Sequence, residues 1–231
     1  DDEAKVSIII PYKKNYDLVK RCLTSLFTNT SYDNYEIILV DNGCKETDLN
    51  RFVQKIIERR KNIKLIHYRQ SFNFSKINNL AVKKAKGEYL LFLNDDIEVL
   101  HEGWLKEMLS HAQRKDVGIV GAKLLFPDNR IQHYGVITGV KGGAAHLLYG
   151  KDERTIANKN RLDILRESNA VTAACMMIKK KLFWKVEGFD EKLAIVFNDI
   201  DLCMKVRDRH KKILFTPYAR LYHRESSSRG H

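Results

Sequence analysis

Largely apolar runs at residues 6–10, 35–40, 63–67 and 89–93 alternate with three amphipathic stretches, and this alternation restricts the fold more than any other feature of the chain. In the first stretch Asn15 is placed to cap a helix on which Leu18, Val19, Cys22, Leu23 and Leu26 share a face. In the second, Leu49, Phe52, Val53, Ile56 and Ile57 recur at three- and four-residue spacing. In the third, Ile77, Leu80, Ala81 and Lys84 form a helical pattern that Gly87 would end in a left-handed conformation. Strand–helix–strand repetition of this kind predicts parallel strands joined by right-handed crossovers.

Beyond residue 100 the rhythm loosens. A helix carrying Trp104, Leu105, Met108, Leu109 and Ala112 precedes a strand at 117–125. A glycine-rich segment at 132–148 holds His133 and His146 and has no clear period, which marks a candidate functional loop. A strand is expected at 171–178, a helical turn at 182–186 with Trp184 in the core, and a helix capped by Asn198. Short strands are expected at 213–216 and 219–222. The expected architecture is one α/β domain over residues 1–231, with a mostly parallel central sheet flanked by helices and a smaller C-terminal portion. Asp1-Asp2-Glu3, just ahead of the first strand, reads as the edge of a module excised from a longer protein.

With 44% hydrophobic and 30% charged residues the chain can build a sizeable core, and no apolar run approaches the roughly 20 residues that span a bilayer. Cys22, Cys44, Cys175 and Cys203 show no Cys-x-x-Cys spacing; they could pair into two disulfides, but three fall inside apolar segments and read as buried thiols, which fits a reducing, cytoplasmic setting. The net charge of +12 fits either a solvated basic surface or an anionic partner. The basic runs are scattered and lack interleaved aromatics, so no nucleic-acid partner is expected.

In open α/β sheets ligands bind beyond the carboxyl ends of the strands. The first strand ends at Pro11-Tyr12, the second at Asp41-Asn42-Gly43 and the fourth at Asn94-Asp95-Asp96. Turn chemistry alone accounts for the second group and helix capping for part of the third, but neither explains two adjacent acids, whose charges oppose each other's ionisation. The loop Pro11-Tyr12-Lys13-Lys14-Asn15 matches neither the Gly-x-Gly-x-x-Gly nor the Gly-Lys-Ser/Thr phosphate cradle. A diphosphate bound here needs other neutralisation, and a divalent cation on Asp95 and Asp96 would provide it. Oxygen ligands favour Mg2+ or Mn2+.

The segments VSIIIPYKKN, EIILVDNG, FNFSKINNLAVKKAKGEYLLFLNDDIEV, VTAACMMI, GFDEKLAIVFNDIDLCMKVR and LYHRESSSRG, in this order, resemble the glycosyltransferase family 2 enzymes of GT-A fold. The likeness covers nearly the whole chain and is greatest to enzymes that build bacterial surface polysaccharides and glycoprotein glycans. It implies an inverting, metal-dependent transfer from a UDP- or dTDP-sugar to a hydroxyl of a glycan, lipid-linked or glycoprotein acceptor. A lipid-linked acceptor would bring the protein to the inner face of the membrane. The resemblance implies donor binding in residues 1–100, through Pro11, Tyr12, Asp41, Asn79, Asn94 and Asp95, with the acceptor and the base in 101–231. It implies Asp96 and His223 as metal ligands and Asp199 as the general base; without it, Asp199 reads equally as a first-turn helix acid. Asn94 and Asn198 stand where the family often has acids. The alternatives are a non-catalytic GT-A module that binds a nucleotide sugar or glycan, and a sugar-nucleotide pyrophosphorylase, which the missing glycine-rich loop disfavours.

Overall fold

The computed structural model describes residues 4–140, 143–154 and 164–224. Asp1-Asp2-Glu3 and the final motif beyond Arg224 lie outside the described residues. Strands β1 (Val6–Tyr12), β2 (Tyr35–Asp41), β3 (Ile63–His67) and β4 (Tyr89–Leu93) alternate with helices α1 (Tyr16–Thr28), α2 (Thr47–Arg59) and α3 (Phe74–Val82). They lie in the order β4-β1-β2-β3, and every neighbouring pair is parallel. The chain then forms β5 (Ile97–Val99), α4 (Trp104–Ala112), β6 (Val117–Leu125) and β7 (Ile131–His133). A separate hairpin, β8 (Val136–Val140) and β9 (Gly143–His146), is followed by β10 (Arg166–Glu167), β11 (Cys175–Lys179), α5 (Lys180–Lys185), α6 (Asn198–Arg207) and β12 (Lys212–His223).

The second half joins the same sheet with mixed direction. β11 is antiparallel to both β4 and β6, β12 is parallel to β6, and β10 is antiparallel to β12. The expected parallel sheet therefore holds for the first four strands and gives way at β11. Helices α1, α2 and α4 cover one face through Val19, Leu23, Leu49, Val53, Trp104 and Met108. Helices α3, α5 and α6 cover the other through Ile77, Ala81, Phe183, Leu202 and Val206. With both faces covered, β1, β4 and β6 are buried almost end to end and need no polar alternation. All four cysteines are buried and free. Among the described residues no helix is long and apolar enough to cross a membrane.

Four local expectations are corrected. Gly87 does not have a positive φ. A Cβ there would lie 2.5 Å from Ser7 N and 2.8 Å from Lys5 O, so the glycine serves close approach to β1. Trp184 is 40% exposed, while its neighbour Phe183 fills the core. Asn198 is the buried first residue of α6 and donates to Leu193 O; Phe197, at φ 63°, occupies the cap position. The two short C-terminal strands are one strand, β12, whose register against β6 shifts between Thr216 and Arg220. Pro217 lies in that shift and has no N–H to give a ladder.

The amino ends of the strands are held by one polar cluster. Buried Glu36 on β2 accepts from Ser7 Oγ at 2.7 Å, from Lys64 Nζ at 2.8 Å and from the Lys86 N–H, and Gly87 N–H donates to Ser7 Oγ. Burial pushes the Glu36 carboxyl up, but Lys64, the Lys86 N–H and Ser7 outweigh it and hold it below its ordinary value. Such a carboxylate stabilises the fold above its unfolded pKa and loses that contribution as pH falls through the folded one. Glu36→Gln should therefore cost about 1–3 kcal/mol near pH 7, the range for disrupting a buried charged hydrogen bond. In urea titrations the gap from the parent should narrow below about pH 4; a gap unchanged down to pH 3 contradicts the assignment. Gly87→Ala should cost about 1–3 kcal/mol at all pH values, by overpacking against β1.

Candidate active site

The carboxyl ends of β2, β1 and β4 form one rim. Tyr12 lies opposite Asp41 in the β1–β2 register, and β4 flanks β1 on its other side. The chain runs outward from β1 to β2 and β3 and returns to the far side at β4, so the gap between β1 and β4 is the switch point where such sheets open a crevice.

Asp41 is buried, and both of its oxygens are engaged. Oδ1 accepts from Cys44 N–H at 2.6 Å, while Oδ2 faces His67 Nδ1 at 2.9 Å and Arg69 Nη1 at 3.0 Å. The Asn42 amide donates to Tyr68 O and Gln70 O, tying the end of β2 to the loop after β3. Tyr12 is buried beside them, its hydroxyl pushed up by burial and by the Asp41 charge; Pro11 is partly exposed. His67 and Arg69 are missing from the sequence reading. The strand-end rule that selected Asp41 applies equally to His67, the last residue of β3.

At the end of β4 the two acids diverge. Asp96 is buried, and its Oδ1 lies 3.0 Å from His223 Nε2 at the carboxyl end of β12. β12 reaches it by pairing antiparallel with β5, with His223 opposite Ile97. The other ring nitrogen, Nδ1, meets Gln132 Oε1 on β7, and Asn94 Nδ2 lies 3.2 Å from Nε2. Since the Gln132 carbonyl can only accept, Nδ1 carries the proton, and in the neutral ring Nε2 turns its lone pair toward Asn94 and Asp96. A lone pair and a carboxylate oxygen at this separation suit a shared cation, so the donor set fits a divalent metal. Gln132 is the orienting partner that metal-binding histidines commonly have. Among the described residues no three His, Cys, Asp or Glu side chains group to enclose an ion, so further ligands would come from substrate or water. Asp95 is pushed up to about 8, by burial first and then by the Asp96 charge. The Cys22 thiol beneath them is pushed up by burial and by both acids, and donates to Asn94 O at 3.7 Å.

The segment just before β11 connects this pair to Asp199. Asn94 N–H donates to Ala174 O at 3.0 Å, and Ala173 N–H donates to Asp199 Oδ2 at 3.3 Å. Asp199 Oδ1 accepts from Ile200 N–H at 2.9 Å in the first turn of α6, and the side chain is partly exposed. Thr172 N–H points at His133 Nε2 at 3.5 Å, and His133 Nδ1 contacts His146 Nδ1 at 2.9 Å. Burial, with the neighbouring His146, holds His133 well below the usual histidine range. Residues 172–174 thus join Asn94, Asp96, His223, Asp199 and the His133–His146 pair. Pro11, Tyr12 and Asp41 lie along the same rim on the neighbouring strands. Asn79 is engaged elsewhere: its amide donates to Phe189 O at 2.9 Å and accepts from Phe189 N–H at 3.1 Å, clamping α3 to the loop before α6.

Residues 7–187 match the model of the glycosyl transferase family 2. The chain is 43% identical over 229 residues to an uncharacterised protein, y4gI, of Sinorhizobium fredii, covering 98% of this chain and 25% of that protein. It is 37% identical over 226 residues to the O-antigen biosynthesis protein RfbC of Myxococcus xanthus, covering 97% of this chain and 18% of that one. The chain therefore spans a quarter or less of the length of these relatives. Its fold superposes on GalNAc-T7, solved with UDP, GalNAc and Mn2+, with a TM-score of 0.80 at 15% identity over 96% of this chain and 44% of the other. The mannosyltransferase PcManGT from Pyrobaculum calidifontis, in complex with GDP-Man and Mn2+, gives 0.72 at 15% identity over 99% and 59%. The family match over most of the chain, with a sheet that superposes on these enzymes, identifies the chain as a member of glycosyl transferase family 2, a glycosyltransferase domain of GT-A fold.

Proposed function

We propose that this domain performs an inverting transfer of a sugar from a UDP- or dTDP-sugar to a hydroxyl of a glycan, lipid-linked or glycoprotein acceptor of a bacterial surface. The observation that carries this reading is the link through residues 172–174, which brings Asp199 to the rim where Asp96 meets His223. A base and a diphosphate anchor on opposite sides of one crevice suit single displacement at an anomeric carbon. The relative named for O-antigen biosynthesis supports a surface-glycan acceptor.

Asp41, with His67 and Arg69 against it, presents a hydrogen-bonding edge to the nucleotide base beside Tyr12 and Pro11. Asp96 and His223 would hold Mn2+ or Mg2+, with Gln132 fixing the histidine ring through Nδ1. The bound cation supplies Lewis-acid stabilisation of the departing diphosphate. Asp95 faces the donor ribose or sugar. Asp199 takes the proton of the acceptor hydroxyl as its oxygen bonds to the anomeric carbon and the bond to the diphosphate breaks. Two backbone N–H groups fix the orientation of the Asp199 carboxylate, and general-base catalysis of this kind contributes roughly 10²–10⁴-fold.

Asp199→Asn should keep donor affinity and lower turnover by roughly 10²–10⁴-fold, measured as nucleotide diphosphate released with acceptor present. Unchanged turnover removes Asp199 from the base role. Asp96→Ala and His223→Ala should each weaken donor binding in Mn2+ and leave the EDTA value unchanged. Calorimetry in which donor affinity is indifferent to EDTA and to both substitutions rejects the metal assignment.

A further inference from the structure

A cleft of about 430 Å³ lies at the other end of the sheet from the carboxylates. It opens where β12 begins, between the carboxyl end of α6, β10 and the β8 strand of the hairpin. Asp199 and His223 stand at the opposite ends of α6 and β12, the latter roughly 30 Å away along its strand. The basic side chains lining the cleft are Arg166, Arg207, Lys211 and Lys212, with His210 beside them, against Glu167 as the acid.

The acids nearby do not neutralise this group. Glu167 and Asp116 both pair with Lys212, at 2.9 and 3.4 Å. Lys211 donates to Lys115 O at 2.7 Å, which leaves its charge unopposed. Arg207 and His210 are exposed and have no carboxylate partner among the described residues. Arg166 is the decisive member. Its guanidinium lies 4.3 Å from the Tyr134 ring centroid and 5.1 Å from that of Phe215, and one Nη donates to Tyr134 O. Among the described residues its Nε is buried without an acceptor, and no carboxylate pairs with it. A helix carboxyl end attracts cations, which accounts for Arg207. It does not account for a partly buried arginine contributed by β10, because a buried charge is costly unless it is paired.

We propose that this cleft is a second ligand site, which binds a phosphate group carried on a sugar-sized molecule. A planar guanidinium with further donors around it matches phosphate oxygens. The volume falls within the range of small-molecule sites and exceeds what a bare ion needs. The inference does not depend on the catalytic reading, since none of these residues belongs to the rim.

Calorimetry in EDTA, which keeps a cation-dependent diphosphate site silent, tests this with glucose 6-phosphate and with inorganic phosphate. Vesicles of phosphatidylcholine with and without phosphatidylglycerol form a parallel arm. Saturable binding of glucose 6-phosphate is expected, weakened at least tenfold by Arg207→Glu combined with Lys211→Glu. Arg207 is exposed, and Lys211 is half-buried with only a backbone carbonyl as partner, so the circular dichroism of the double variant and its donor hydrolysis in Mn2+ should match the parent. Binding confined to phosphatidylglycerol vesicles and lost in the double variant keeps the phosphate site and assigns it to a lipid headgroup. No saturable binding in any arm, or binding unchanged in the double variant, overturns the proposal.

Discussion

The contact between His223 and Asp96 joins residues far apart in the chain and depends on one strand having three partners. β12 lies parallel to β6 along most of its course, takes β10 on its outer edge, and pairs antiparallel with β5 at its end. β5 follows directly on the acids of β4, so this last pairing delivers the histidine to the carboxylate. The antiparallel strand β11 makes the arrangement possible. By entering between β4 and β6 it brings residues 172–174 to the rim, where their backbone serves Asn94 on one side and Asp199 on the other. The parallel half carries Asp41 and Asp96, and the mixed half brings Asp199 and His223 to the same rim.

Charge is treated differently at the two ends of the sheet. At the amino ends Glu36 is surrounded by Lys64, a hydroxyl and a backbone N–H. At the carboxyl rim Asp95 sits beside Asp96 with no basic side chain against it among the described residues, and its pKa rises to about 8. Like charges in a half-dry site raise each other's pKa, and a bound cation reverses that effect. The repulsion between Asp95 and Asp96 thus lies where a positively charged ligand would relieve it.

The parallel half of the fold was legible because its signals are local. Apolar strands buried on both faces and helices with a single apolar stripe can be read from a short window, and the bounds of β3, β4 and β6 match the expected ones. What escaped depends on partners distant in sequence. Gly87 is required by Ser7, which no local pattern reports. β12 reads as two strands because Pro217 interrupts its ladder, although the chain continues in the same sheet. Trp184 follows the helical stripe, yet α5 is too short to bury both it and Phe183. Asp41, Asp96 and Asp199 stand out in the sequence as candidate site residues, whereas Arg69 and Gln132 do not. Their significance lies in contacts with Asp41 and His223, and those contacts exist only in three dimensions.

The excursion in β12 between Thr216 and Arg220 has a consequence for which chains could carry this site. Successive side chains of a strand point to opposite faces, so the number of residues in the excursion decides which way His223 turns. A homologous chain with one residue fewer there would keep its histidine in an alignment and yet aim it away from the acid. Spacing between Thr216 and His223 therefore decides the His223–Asp96 contact as much as the presence of the histidine does.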